Sequence, residues 1–445
     1  MPKRRTNPYR LYLFGISTPL AVLVGLAQTT CIVYYVTSGR LNPLQLVTLG
    51  TSVELSYFFM QLPTGVLADL VSRRLCVVAG TVLVGLGFFE QGISPAFPNL
   101  LAGQFVIGLG AALQEGALDA WIAGELEERR MTRIYLRAAQ FGLAGSVVGA
   151  VASAALASFR LSLPLLVGGG AIILLGLGLG VVMPERHTEP EKTVAADRTP
   201  AGRRVLRSAW SGFTAQLGAS RTAIVVVPGF VLLLGTVFFL GLWSESFDRL
   251  WGDFLLKTFR LPDLFGLRPA GWFSAISIAV SLLGVGTTHL AGRWTDRQEK
   301  RAEPAATAPA LLVLTALIGL GVALMAGSSV FAVAVVAYLL VQSLRAVVPP
   351  LVTGWIVARV DPGVRATVLS ARDMLDSAGQ IVGGPFVGWI GLIGTVRTAL
   401  YAGALALLPA MGLLSAATAR TKARDPEAQP PEPQPPEPQP LEVTS

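Results

Sequence analysis

Long stretches without a single charged side chain govern what this chain can fold into. Leu11 to Gly39, Ala138 to Phe159, Leu161 to Pro184, Thr222 to Ser244 and Thr398 to Ala419 are such runs. Each is long enough to cross a hydrocarbon core, which takes about 20 apolar residues. The runs are apolar on every face and rich in Leu, Ala, Val and Gly, whereas the strands of a β-barrel alternate every second residue. Helices are then the remaining way to satisfy a backbone in lipid. Because 52% of the residues are hydrophobic and 14% charged, such runs make up the body of the protein. The fold class expected is an all-α, polytopic membrane protein.

Cutting at charges, prolines and glycines places twelve spans near 11 to 37, 44 to 68, 75 to 96, 99 to 123, 135 to 158, 162 to 183, 223 to 247, 270 to 291, 305 to 326, 330 to 357, 365 to 391 and 395 to 418. The run from Pro304 to Leu344 is about two spans long, so Gly327, Ser328 and Ser329 must mark a tight turn. The first span follows basic residues but is longer than a signal-peptide core, and is read as retained. Four parts are expected: a first six-helix bundle over 1–183, a charged cytoplasmic linker over 184–221, a second bundle over 222–419, and a tail over 420–445. The tail, "PEAQPPEPQPPEPQP", is proline-rich and expected to be extended and disordered.

Lys and Arg collect in alternate connections: Lys3 to Arg5, Arg73 and Arg74, Arg129 to Arg133, Arg203 to Arg207, Arg293 to Arg301, and Arg359 with Arg365. The opposite set holds one arginine or none per loop, apart from 244–269, where four acids balance four bases. By the positive-inside rule both termini face the cytoplasm. The expected location is the plasma membrane. The net charge of +8 is met by anionic lipid, with no nucleic-acid partner needed. Cys31 and Cys76 offer neither a disulfide framework nor a metal-site spacing and read as packing residues. No cofactor or metal is expected, and the chain is expected to act as a monomer.

The two halves echo each other. Gly65, Asp69, Arg73 and Arg74 reappear 227 residues on as Gly292, Asp296, Lys300 and Arg301. At an offset of 234, "AWIAGE" from Ala120 faces "GWIVAR" from Gly354, and "AGSVVGA" from Ala144 faces "AGQIVGG" from Ala378. Two motifs in one order indicate an internal repeat of six spans, and parallel repeats are a transporter arrangement.

On these residues the chain resembles the major facilitator superfamily over essentially its whole length. "PTGVLADLVSRR" carries the family's loop between spans two and three at Gly65, Leu67, Asp69, Arg73 and Arg74. "GALDAWIAGEL" in span four and "SESFDRLW" after span seven are similar to stretches of bacterial drug:proton antiporters. The chain departs from that group at Gln61, where relatives often have an acid, and in span five, which lacks their glycine-proline motif. The resemblance implies twelve helices in two pseudo-symmetric bundles that rock about a central site. It also implies a cytoplasmic latch of Gly65, Asp69, Arg73 and Arg74 with Glu125 as acidic partner, and a second copy at Gly292, Asp296, Lys300 and Arg301.

Ionisable residues inside spans need a reason, since one at the bilayer centre costs about 3 kcal/mol on insertion scales. Glu54 lies about midway along span two, and Glu115 and Asp119 share a face of span four. A carboxylate enclosed among apolar groups can take up and release a proton as its access alternates, which makes Glu54 and Glu115 the proton-coupling candidates. Asp119 reads as structural, and Asp69, where the third helix begins, is placed to meet that helix's unpaired amides. Arg345 precedes Pro349 and Pro350, which must distort span ten. Arg372 and Asp376 are spaced to pair on span eleven. Gln28, Tyr57, Gln140, Arg345 and Asp376 are the substrate-cavity candidates, in a cavity expected to be greasy and sparsely charged. Glu245, Asp248 and Arg249 are outer-gate candidates at the end of span seven, beside Trp243 and Trp251 as interfacial anchors.

No catalytic constellation is evident: His187 and His289 stand apart, with no metal-ligand spacing, phosphate loop or nucleophile elbow. A receptor or scaffold would suit the tail but not the midplane carboxylates. The expected function is proton-driven efflux of a small hydrophobic compound, with import or uniport of a metabolite as the alternative.

Overall fold

The computed structural model describes residues 7–70, 72–125, 131–184, 230–262, 268–300, 307–360 and 365–422. The expected linker and tail, 185–229 and 423–445, lie outside them. All described elements are helical and form the rods α1 (Pro8–Thr37), α2 (Pro43–Leu70), α3 (Arg73–Ile93), α4 (Phe97–Glu125), α5 (Met131–Phe159), α6 (Leu163–Val182), α7 (Phe230–Thr258), α8 (Pro269–Lys300), α9 (Thr307–Gly327), α10 (Phe331–Arg359), α11 (Arg365–Ile393) and α12 (Val396–Lys422). Among the described residues, 10 helices are long and apolar enough to cross a membrane. Rods α2 and α11 are not among them, because both carry polar side chains at mid-length, and they lie against each other.

Local chemistry explains most helix ends. The Asn42 amide oxygen accepts from the Gln45 backbone at 2.9 Å while Gln45 accepts from the Asn42 backbone at 3.1 Å, a reciprocal box that starts α2. Thr395 and Thr398 form the same box at α12. The oxygen that caps α3 is Ser72 Oγ, which accepts from the Leu75 backbone at 3.1 Å; the side chain of Asp69, expected to meet the amides of this helix, lies outside the described residues. Helix α9 stops at Gly327, as the turn signal requires, and α10 breaks at Ala346 and Val347 ahead of Pro349 and Pro350.

Three further irregularities interrupt the rods. Rod α1 winds as a π-helix over Leu11–Ser17 and turns at Thr29 and Thr30, and α12 turns at Ala406. Rod α7 runs to Thr258, eleven residues beyond the expected end at 247. Most of the balanced stretch 244–269 is therefore helix rather than loop, since its acids find basic partners within the helix and on α10 instead of needing water. Asp253 shows this most plainly: it is 0% exposed and meets Lys257 Nζ, one turn on, at 2.7 Å.

Helix packing repeats. In the first half α1 packs on α5 and α6, α2 on α4, and α3 on α4 and α6. In the second half α7 packs on α11 and α12, α8 on α10, and α9 on α10 and α12, the same pairings six rods later. Between the halves α2 meets α11, α5 meets α8 and α1 meets α7, pairings that an exchange of the halves leaves unchanged. The first half also encloses a polar knot. Tyr35 Oη donates to Gln91 Oε1, and Gln104 Nε2 donates to Tyr35 Oη at 3.0 Å and to Gln91 Oε1 at 3.3 Å, all three residues being buried. Tyr35→Phe leaves both amides short of a partner, so thermal unfolding in detergent should register a loss of about 1–3 kcal/mol.

Candidate functional site

The halves close on each other at the end of the molecule that carries the α1–α2, α7–α8 and α11–α12 connections. Gly384, Gly388 and Gly391 of α11 lie along Pro43, Leu44, Val47 and Thr51 of α2. A Cβ at Gly384 would meet Thr51 Oγ1 at 2.7 Å and Val47 Cγ1 at 2.8 Å, closer than packed atoms come, so only glycine allows this approach. Gly50 faces the Glu245 carboxylate and the Arg249 guanidinium, Gly252 of α7 rests on Ile32, and Arg268 Nη1 donates to Ser158 O across α8 and α5 at 2.8 Å. Toward the other end Glu115, Asp119 and Gln140 are exposed, and a Cβ at Gly116 or Gly354 would meet nothing. Among the described residues, the close contacts between the halves gather at the first of these ends.

A charged cluster lies just inside these contacts. Because α7 continues to Thr258, Glu245, Asp248 and Arg249 sit at mid-helix instead of at its outer end. Arg249 Nε donates to Glu245 Oε1 at 2.9 Å, and the glutamate side chain is only 3% exposed. Asp248 Oδ1 receives Arg345 Nη1 of α10 at 2.5 Å, and Arg345 lies 5.6 Å from the centre of the Trp243 ring. Trp243 is 2% exposed and stacks on Phe247, while Trp251 stacks on Tyr338 at 4.2 Å. Neither tryptophan is an interfacial anchor; both pack inside the protein, because the helix they sit on is central.

Glu54 reaches this cluster from α2. Its Oε2 accepts from Ser377 Oγ of α11 at 3.3 Å, directly across the contact between the halves. On α11 the expected pairing of Arg372 with Asp376 gives way to another: Arg372 Nη1 meets Asp373 Oδ1 at 3.3 Å and Thr353 Oγ1 at 3.4 Å, and Asp376 accepts from Gln380 Nε2 at 2.8 Å. The neighbouring carboxylate and the amide one turn away compete successfully for these groups. Glu115 lies deeper toward the other end, where its Oε2 accepts from Tyr57 Oη at 2.6 Å. Asp119 accepts from Tyr135 Oη at 3.1 Å.

Two cavities flank the cluster. The larger, about 370 Å³, lies between α1, α2, α5, α7, α8 and α10 and includes Gln28, Asp248, Arg249 and Trp251. The smaller, about 120 Å³, includes Arg345, Arg372 and Asp376. Neither is the sparsely charged pocket expected from the sequence, since acids and bases meet in both. Gln28, Arg345 and Asp376 line these two cavities, whereas Tyr57 and Gln140 line neither.

The latch residues are only partly described. Arg73 Nη1 donates to Ala120 O of α4 at 2.9 Å and Arg74 Nη2 donates to Gly180 O of α6, so both arginines reach backbone carbonyls of neighbouring helices. Glu125 ends α4, and Gly292 lies exposed in α8. The side chains of Gly65, Asp69, Asp296 and Lys300, and all of Arg301, lie outside the described residues. Ser377, Gln380 and Tyr338 were not singled out by sequence reasoning. The first two could have been found from the polar spacing of Asp373, Asp376, Ser377 and Gln380 along one helix.

The model of the Major Facilitator Superfamily matches residues 10–371. The chain belongs to that superfamily. Like its other members it is a transporter of small molecules embedded in the membrane by many helices, and not an enzyme. Among solved superfamily structures, the nucleoside transporter NupG is 15% identical with a TM-score of 0.67, covering 93% of this chain and 98% of that one. A POT family transporter in complex with 5-aminolevulinic acid is 13% identical with a TM-score of 0.70, covering 92% and 96%. A bacterial homologue of the human lysosomal transporter Spinster, inward-facing and unoccupied, is 16% identical with a TM-score of 0.65, covering 94% and 97%. At these identities the likeness shows the superfamily fold.

Proposed function

We propose that the protein is a secondary active transporter of the plasma membrane that works by alternating access, with both termini in the cytoplasm. In this reading it exchanges inward-moving protons for a small, largely apolar organic solute carried outward, and the two six-helix halves, 1–183 and 222–419, are the moving bodies. The end at which the halves close on each other faces outside, so the described state faces inward. Glu54 on Ser377 is the observation that carries the reading, because it places a carboxylate on the contact that must open when the protein turns outward. Enclosing that carboxylate in its charged form costs about 3 kcal/mol on insertion scales. The cavity therefore closes around it only once it carries a proton or a solute replaces its hydration. Glu115 on Tyr57 is a second carrier nearer the cytoplasm.

The charges around both cavities favour a second reading, proton-driven import or uniport of a polar metabolite, which uses the same helices. A proteoliposome assay with an imposed pH gradient separates the two. Uphill export of lipophilic compounds supports the first, and gradient-driven uptake of hydrophilic solutes supports the second. Absence of flux for any solute would transfer weight to a receptor or scaffold role. Glu115→Gln should slow gradient-driven flux about tenfold or more, as the loss of one positioned proton carrier implies; unchanged flux would remove Glu115 from the relay.

A further inference from the structure

We infer that the 370 Å³ cavity beside α1 takes a zwitterionic solute with a flat apolar body, its carboxylate on Arg249 and its ammonium on Asp248. This inference deepens the transporter reading and rests on it. Two adjacent residues of α7 present opposite charges to one cavity, and each is only half used by its protein partner. Arg249 spends Nε on Glu245, and among the described residues its two terminal nitrogens make no hydrogen bond. Asp248 spends Oδ1 on Arg345, and its second oxygen is likewise unbonded. Both side chains remain partly open, at 25% and 34%.

A solute with a single negative charge would gain Arg249 but face the Asp248 carboxylate next to it, and a cation would face the reverse. A carboxylate and an ammonium held on one carbon satisfy both groups and add no net charge to a low-dielectric site. The third recognition element is the aromatic lining beside the charges. Trp251, one turn on from Asp248, is partly exposed and packs with Tyr338 at 4.2 Å and Phe273 at 4.9 Å, and the three rings line the cavity as an apolar wall for the body of the solute. Gln28, exposed at the turn of α1, supplies an amide that both donates and accepts. The volume lies within the usual range of small-molecule sites, about 300–1,000 Å³.

Three probes that share one body test this charge logic: phenylalanine, phenethylamine and hydrocinnamate, each measured by calorimetric binding to the full-length protein in detergent micelles. Phenylalanine should bind, and each probe that lacks one charge should bind about tenfold or more weakly, as the loss of a charge-assisted hydrogen bond implies. Asp248→Asn should exchange the preference in favour of hydrocinnamate, a gain that a misfolded protein cannot show. Arg249→Lys should weaken phenylalanine because the planar fork is lost. Equal binding of the three, a native preference for the amine or the acid, or no binding of any would overturn the assignment. A companion proteoliposome assay keeps the two claims apart. Gradient-driven flux of other solutes without phenylalanine binding sinks the site alone, whereas phenylalanine binding without flux of any solute sinks the transporter reading.

Discussion

Replacing Glu54 by glutamine is expected to abolish uphill solute movement driven by a pH gradient while leaving exchange of labelled for unlabelled solute intact. The amide keeps the size of the side chain and can still meet Ser377 Oγ, from which the native carboxylate accepts at 3.3 Å. What it loses is the alternation between a charged and a neutral form. In the native protein the charged form resists enclosure by about 3 kcal/mol, which is a factor of about 150 between closing empty and closing protonated. With glutamine that difference vanishes, the two bodies rock regardless of proton occupancy, and the steady-state solute ratio across the membrane falls to unity. Glu54→Asp, which can still titrate, should restore part of the gradient. Uphill flux that survives in the glutamine variant would show that the proton travels elsewhere, with Glu115 the first place to look.

Gly384→Val should act on the other half of the cycle. A side chain there meets Thr51 and Val47 of the other half only while the two halves are closed on each other. Overpacking of this kind costs about 1–3 kcal/mol, which displaces the balance between the two facing states by about 5- to 150-fold. The protein should then rest facing outward. Cys31 provides a native reporter, since it lines the larger cavity just beneath the contact between the halves. In a Cys76→Ala background, a membrane-impermeant maleimide added from outside should modify Cys31 faster in Gly384→Val than in the parent. Equal labelling rates would mean that the glycine stripe packs the helices without governing access.

The helices of this fold were legible because lipid leaves a chain few choices. Charge-free runs such as Leu161 to Pro184 became α6 nearly as expected, and the Gly327 turn separated α9 from α10. The least accurate boundary was that of α7, where charges at Glu245, Asp248 and Arg249 suggested a helix end. Charges end a membrane helix only when water is the available partner, and here Arg345, ninety-seven positions along the chain, supplies the partner instead. Long-range pairing of that kind leaves no local trace, so the charged cavity could not be read from span seven alone. Glu54 was identifiable because its cost is local: an acid at mid-span needs an explanation whatever its neighbours. Its hydrogen bond to Ser377 depends on how the halves meet, which no single span encodes.

The turn at Thr29 and Thr30 bears on where the first rod can yield. The short outer piece of α1, Cys31–Thr37, is tied to α3 and α4 through the Tyr35 hydroxyl, while the longer inner piece rests on α5 and α6. A rod divided in this way is held to different helices on either side of its joint. In the proposed cycle that joint, beside Gln28 at the cavity wall, is where the rod yields as the bodies tilt.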